Sequence, residues 1–285
     1  MLFPLIDENP TRRWPFVTVG LIAINSLLLL AMIGLDPLTH NRVFLEYGFV
    51  PQRFTEAIGS GEAVRIDLAD LVASSPEARE VLEKSQQDTT VILPGTLTAA
   101  LGTIFSSMFL HAGFAHLIGN MWFLWIFGNN VEDRLGHVPY LLFYLLGGIF
   151  AALTHWGTAT STGALIPTVG ASGAVAVVLG AYAVTYPKAQ VRCLLFLFVI
   201  FFMIDLPALV VLGIWITFQL VQGIGALHVG LDGGVAWWAH IGGFLFGMAI
   251  MPLLSMIIPD KTYQAVFKEE RSFQFDPRRH DDFRF

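Results

Sequence analysis

Seven polar side chains stand in or beside long apolar runs: His111, His116, Asn120, His155, Ser172, Asp205 and His240. Ionisable and polar groups in such surroundings are costly, which makes them candidates for function. Ser172 lies in Gly170-Ala171-Ser172-Gly173, where two glycines permit a tight backbone and leave a hydroxyl exposed. Taken alone, the same pattern also reads as a small packing residue at a helix start. His240, in Ala239-His240-Ile241-Gly242-Gly243, is the candidate general base for that hydroxyl. His116 and Asn120, four residues apart, share one helix face and can both donate hydrogen bonds. With the Ser172 amide they would surround the oxyanion of an acyl transfer, and without it they read as an interhelical polar clamp. No carboxylate completes a triad, because Asp133 and Asp205 fall at the opposite ends of their apolar runs. A serine–histidine pair is chemically sufficient: the base takes the hydroxyl proton and returns it to the leaving amine. The single cysteine, Cys193, reads as a small apolar residue and excludes an internal disulfide. No His-Glu-x-x-His motif occurs, and neither a metal nor any other cofactor is expected.

These residues must be held by membrane-spanning elements. The chain has 285 residues, of which 55% are hydrophobic and 13% charged. A soluble globule could not cover its surface with so few charges, and disorder is excluded for the same reason. The net charge of -6, with no basic patch interleaved with aromatics, argues against a nucleic-acid partner. Apolar runs occupy 16–34, 114–131, 138–156, 172–187, 206–223 and 236–257, each near the roughly 20 residues that a spanning helix needs. Asp205 is a suitable N-cap and Pro207 suits a first turn, so a helix is expected from Leu206 to about Gly223. The preceding stretch, 191–204, is too short to span and reads as interfacial or re-entrant. Small residues recur as Ser172, Ala176 and Gly180 on the fourth run and as Gly243 and Gly247 on the sixth, a pattern that lets membrane helices approach closely.

The expected organisation is a cytoplasmic tail over 1–15, a first span over 16–34, a long outer loop over 35–95, a membrane core of five further spans over 96–257, and a cytoplasmic tail over 258–285. Arg12, Arg13, Arg134, Lys188, Arg192, Lys261, Lys268, Arg271, Arg278, Arg279 and Arg284 then lie inside, in accord with the positive-inside rule. The 35–95 loop carries no recognisable chemistry, and its charges read as a solvated face. Ser74-Ser75-Pro76-Glu77 predicts a short helix from Glu77 to Gln86, and the C-terminal tail reads as frayed.

In combination, His116-x-x-x-Asn120, Gly170-x-Ser172-Gly173 and Ala239-His240-x-x-Gly243, ordered along the second, fourth and sixth runs, resemble the rhomboid intramembrane serine proteases. The resemblance extends over about residues 14–255. It implies an all-α membrane protein, a six-helix bundle with both termini cytoplasmic and a long first outer loop. It implies Ser172 as nucleophile, His240 as base, and His116, Asn120 and the Ser172 amide as the oxyanion hole. Gly170, Gly173, Gly243, Gly247 and His111 would be supporting residues, and Glu132-x-Arg134 a structural motif at the inner face. The partners so implied are transmembrane protein substrates cut near the outer face, and a lipid bilayer; the compartment expected is a bacterial plasma (inner) membrane. Two positions depart from the family pattern: Ala176 replaces the aromatic often found four residues after the serine, and Gly102-Thr103 stand where a Trp-Arg pair would align. The competing functions are a non-catalytic membrane chaperone or adaptor on the same fold, and a small transporter using His116 and His240 as proton carriers. A transporter should show inverted repeats and midplane charge, and neither is visible.

Overall fold

The computed structural model describes residues 2–71, 80, 89–160, 163–197, 200–229 and 235–258. In chain order these form β1 (Leu2–Asp7), α1 (Phe16–Met32), α2 (Pro37–Tyr47), α3 (Pro51–Ile58), β2 (Val64–Asp67), α4 (Leu68–Leu71), β3 (Thr90–Leu93), α5 (Leu97–Ser107), α6 (Phe114–Leu135), α7 (His137–Thr158), α8 (Ser172–Thr185), β4 (Gln190–Leu197), β5 (Ile200–Pro207), α9 (Ala208–Val229) and α10 (Trp237–Ile257). The architecture is mostly helical. By length and composition α7, α9 and α10 can cross a membrane, while α1, α5 and α8 are shorter apolar helices. Apart from Glu80, the expected helix from Glu77 to Gln86 lies outside the described residues, as does the C-terminal tail from 259 onward.

At the centre is α8, whose residues Ala174 to Ala183 are all buried. It is made almost wholly of small and β-branched residues, so neighbouring helices can reach its backbone. A side chain added at Gly180 would meet the Phe244 carbonyl, one at Gly247 the Val177 carbonyl, and one at Gly243 the Gly173 carbonyl. The contact between α8 and α10 is therefore backbone against backbone, as the two small-residue stripes predict.

The far end of the bundle is fastened by polar side chains on α6. Glu132 is buried, and its carboxylate accepts from the amides of Val17 and Thr18, at 2.9 and 2.8 Å, and from the Thr18 hydroxyl at 2.7 Å. It thereby satisfies first-turn donors of α1 that have no intrahelical acceptor. Arg134 donates to the carbonyls of Ile258 and Ser255, at 3.0 and 3.2 Å, closing the C-terminus of α10. Gly136 (φ 83°) occupies the left-handed region that lets α6 end and α7 begin one residue later. The start of α1, the end of α6, the start of α7 and the end of α10 thus share one end of the bundle, and Ser172 and His240 lie at the other.

The all-helical expectation is corrected by a three-stranded antiparallel sheet of order β1-β4-β5. Of the stretch 191–204, read from sequence as interfacial or re-entrant, residues 191–197 and 200–204 form most of β4 and β5. Val191 and Cys193 point inward and are fully buried, while Arg192 between them binds Asp205 at 2.9 Å and Glu8 at 2.8 Å. Asp205 is accordingly a strand residue opposite Arg192 and not a helix cap. The following helix begins at Ala208, after Pro207 closes the strand, and runs to Val229. The sheet lies along α6: the Trp122 indole donates to the Pro4 carbonyl at 2.7 Å, and Asn130 and Tyr182 both donate to the Asp7 carboxylate at 2.7 Å.

The described part of the 35–95 segment packs around an apolar cluster of Leu45, Val50, Val64, Ile66, Leu68, Val91 and Leu93. Asp36 caps α2 by accepting from the amides of Leu38 and Thr39. Arg53 departs from the expected solvated face. It is buried and donates to the carbonyls of Pro94 and Glu46. The segment is joined to the bundle by an antiparallel bridge between Phe49 and Thr168 and by the Trp156 indole donating to Thr55.

Candidate active site

Ser172 is the first residue of α8 and is reached through a backbone that only glycine fits. Gly170 has φ 123°, and a Cβ there would stand 2.7 Å from Nε2 of His116. Its amide donates to the Ser107 carbonyl at 2.9 Å, which anchors the turn. Helix geometry leaves the first amides of α8, including that of Ser172, without intrahelical acceptors, so the positive end of the helix faces the site.

His240 lies in the first turn of α10. Its Nε2 is 2.8 Å from Ser172 Oγ, and its Nδ1 is 2.7 Å from Oε1 of Gln219, a buried residue of α9. Two indoles flank the imidazole: Trp215 at a centroid distance of 6.1 Å and a tilt of 36°, and Trp237 at 6.1 Å, nearly perpendicular. Close packing of α8 and α10 sets the serine–histidine distance, because Gly243, one turn after His240, rests on Gly173.

His116 and Asn120 project from the first two turns of α6. Nδ1 of His116 accepts from the Ala112 amide at 3.5 Å, which leaves Nε2 as the proton-bearing nitrogen. Asn120 is buried and donates through Nδ2 to Nε2 of His111 at 3.1 Å. Burial, reinforced by the nearby His116, pushes the His111 imidazole down to about 4, so it is neutral near pH 7 and can accept this bond. One N–H of Asn120 remains for another partner. Ser172, His240, His116, Asn120, His155 and Gln219 all line one cavity of about 600 Å³. An acyl substrate there would meet a hydroxyl, a base with a free lone pair and several donors for a developing oxyanion.

The Rhomboid domain matches residues 99–257, which hold every one of these side chains. The chain belongs to the rhomboid family. It is 33% identical over 163 residues to the presenilin-associated rhomboid-like protein A, mitochondrial, of Danio rerio, covering 54% of this chain and 38% of that protein. It is 32% identical over 149 residues to Rhomboid protein 1, mitochondrial, of Saccharomyces cerevisiae, covering 51% and 40%. A 70-residue match, 40% identical, links it to the Rhomboid-like protein 11, chloroplastic, of Arabidopsis thaliana, covering 25% and 24%. The chain thus spans well under half the length of these relatives. Their names point to mitochondria and chloroplasts and lend no support to the expected bacterial plasma membrane. Family membership and the three candidate spans make the chain a multi-pass integral membrane protein.

Within this rhomboid fold the structure brings together Ser172, His240, His116, Asn120 and the supporting Gly170, Gly173, Gly243 and His111. Glu132 and Arg134 lie at the opposite end, with Gly247 farther down the α8–α10 contact. Ala176 stands where the family often has an aromatic, and the aromatic side chains that border the His240 ring here are Trp215 of α9 and Trp237 of α10. Gly102 and Thr103, aligned with the missing Trp-Arg pair, lie within α5. Gln219 and Trp215 were not singled out in the sequence. The signal for Gln219 was an amide in a mostly apolar run, shared with Gln222 three residues later.

Proposed function

We propose that this protein is an intramembrane serine endopeptidase that cleaves transmembrane protein substrates near the outer membrane face. The contact of 2.8 Å between Ser172 Oγ and His240 Nε2, inside a cavity lined with hydrogen-bond donors, carries this reading. Ser172 Oγ attacks the scissile carbonyl carbon while its proton passes to His240 Nε2. The resulting oxyanion is held by His116 Nε2–H, the second N–H of Asn120 and the Ser172 amide. His240 then gives its proton to the leaving amine, and water, deprotonated by the same histidine, hydrolyses the acyl-serine. The substrate must unwind from helix to extended chain to reach the carbonyl, so small or helix-breaking residues near the cut favour cleavage.

The topology proposed with this activity has six spans, α1 and α6 to α10, with both termini on the side rich in Lys and Arg. The site then opens to the opposite side, at shallow depth.

The deciding experiment is labelling with a fluorophosphonate, a reagent that traps activated serines, alongside cleavage of a model single-span substrate. Wild-type protein should be labelled and should cleave; Ser172→Ala should do neither while remaining folded and inserted. Cleavage by Ser172→Ala at the wild-type rate would eliminate the serine mechanism. An intact protein that is never labelled and never cleaves would favour the chaperone or adaptor reading.

A further inference from the structure

We propose that Gln219 is the positioning residue that makes His240 a base, occupying the place of the carboxylate in a serine–histidine–carboxylate triad. The inference rests on the serine-protease reading of this site.

The geometry is a linear relay. Gln219 Oε1, His240 Nδ1, His240 Nε2 and Ser172 Oγ follow one another with contacts of 2.7 Å and 2.8 Å at the two ends. A carbonyl oxygen can only accept, so Nδ1 must carry the ring proton and Nε2 must present its lone pair to the hydroxyl. The reverse tautomer would place a proton on Nε2, facing the serine, and no base would remain. An imidazole can adopt either form, and the partner of one nitrogen decides the state of the other. Among the described residues, those lining the cavity include no Asp or Glu. The titratable groups facing His240 are Ser172 on α8, His116 on α6 and His155 on α7, while α9 contributes Gln219. The amide is therefore the group that selects the tautomer, and it does so without placing an ionised carboxylate at membrane depth, where a charge is costly.

Gln219 also holds the ring against rotation. Trp215, one helical turn earlier on α9, and Trp237 on α10 border the imidazole, and the amide fixes its rotation about the remaining axis. When His240 takes the serine proton, the amide dipole already points its negative end at Nδ1–H. It thus favours the transient imidazolium with no rearrangement.

Three variants and one spectroscopic measurement test this. Gln219→Leu removes the acceptor and keeps the bulk. It should slow both fluorophosphonate labelling of Ser172 and substrate turnover by about 100-fold, short of the roughly 10⁴-fold lost when a triad aspartate is replaced by asparagine. The loss should fall mainly on kcat and far less on substrate KM, because the hydrogen bond removed is the one to the base. Gln219→Glu restores an acceptor with added negative charge. It should keep substantial activity and move the acid limb of the kcat/KM profile to higher pH, since a carboxylate at Nδ1 favours protonated His240. Recovery in Gln219→Glu of the activity that Gln219→Leu loses separates an acceptor at Nδ1 from mere packing, because both side chains keep the bulk of glutamine. Gln219→Asn, too short to reach, should resemble Gln219→Leu. In wild-type protein with 15N-labelled histidine, the His240 signals, assigned by their loss in His240→Asn, should report a protonated Nδ1 and an unprotonated Nε2. That measurement needs neither catalysis nor a stable Gln219 variant. A wild-type His240 protonated mainly on Nε2 would overturn the inference, as would Gln219→Leu labelling at the wild-type rate. A wild-type protein never labelled at Ser172 would instead overturn the protease reading, leaving the tautomer result to stand on its own.

Discussion

In the proposed mechanism, Asn120 is the residue that would separate binding of the transition state from binding of the substrate. One of its amide protons is committed to His111, and the other is available to an oxyanion that exists only after Ser172 has attacked. Asn120→Ala should therefore lower kcat by roughly 10- to 1,000-fold with little change in KM, the size usual for one oxyanion donor when others remain. An unchanged kcat in a cleavage assay would reduce Asn120 to a packing residue. At this scale the sequence was most legible where a costly side chain had to be explained. Ser172, His240, His116 and Asn120 are polar residues in apolar runs, and the structure gathers them around one cavity. Gln219 meets the same criterion, but it is uncharged and Gln222 follows three residues later, so nothing local ties it to the His240 ring. Trp215 gave no signal at all, since a tryptophan in an apolar helix is ordinary until its neighbour is known to be the His240 ring.

The elements hold the serine and histidine at bonding distance through a contact that tolerates no extra atom. A Cβ on Gly243 would fall against the Gly173 carbonyl, in the residue next to the nucleophile. Gly243→Val should push α10 away from α8, and a displacement of about 1 Å can cost roughly 100-fold in rate. Fluorophosphonate labelling and turnover should fall together, with Gly243→Ala intermediate; full activity in Gly243→Val would mean that the helices do not meet there. The two stripes behind this contact were legible because small residues every four positions are a local pattern. The sheet was not. Its β1 and β4 strands pair Asp7 with Val191 and Leu2 with Leu195, a non-local register that no window of the sequence displays. The same locality misplaced Asp205. An aspartate two residues before a proline is a good helix-start signal, but here it stands on a strand opposite Arg192; pairing with β4, whose Val191 and Cys193 are fully buried, outweighs the cap, and the exposed Arg192–Asp205 contact adds little.

At the scale of the whole molecule, the two ends are built for different tasks. One is pinned: Glu132 closes α1, Arg134 closes α10, and Asp133 accepts from the amides of Arg12 and Arg13. The other carries the cavity, and the 35–95 segment reaches it through the bridge from Phe49 to Thr168, two residues before Gly170. This arrangement gives the topology a sharp test. Between Ser60, exposed at the end of α3, and Lys188, exposed after α8, the chain runs through α6, α7 and α8. In the six-span topology proposed above each of these three helices crosses the membrane, which would place the two residues on opposite sides. The sole cysteine, Cys193, is buried and can be removed as Cys193→Ala to leave a clean background. Ser60→Cys should then react with an impermeant thiol reagent added outside intact cells, and Lys188→Cys only after the membrane is permeabilised. Reaction of both from outside would make the number of crossings even and dismantle the six-span reading. The reverse pattern would keep the count but turn the molecule over, putting Ser172 and His240 at the inner face and requiring substrates to be cut there.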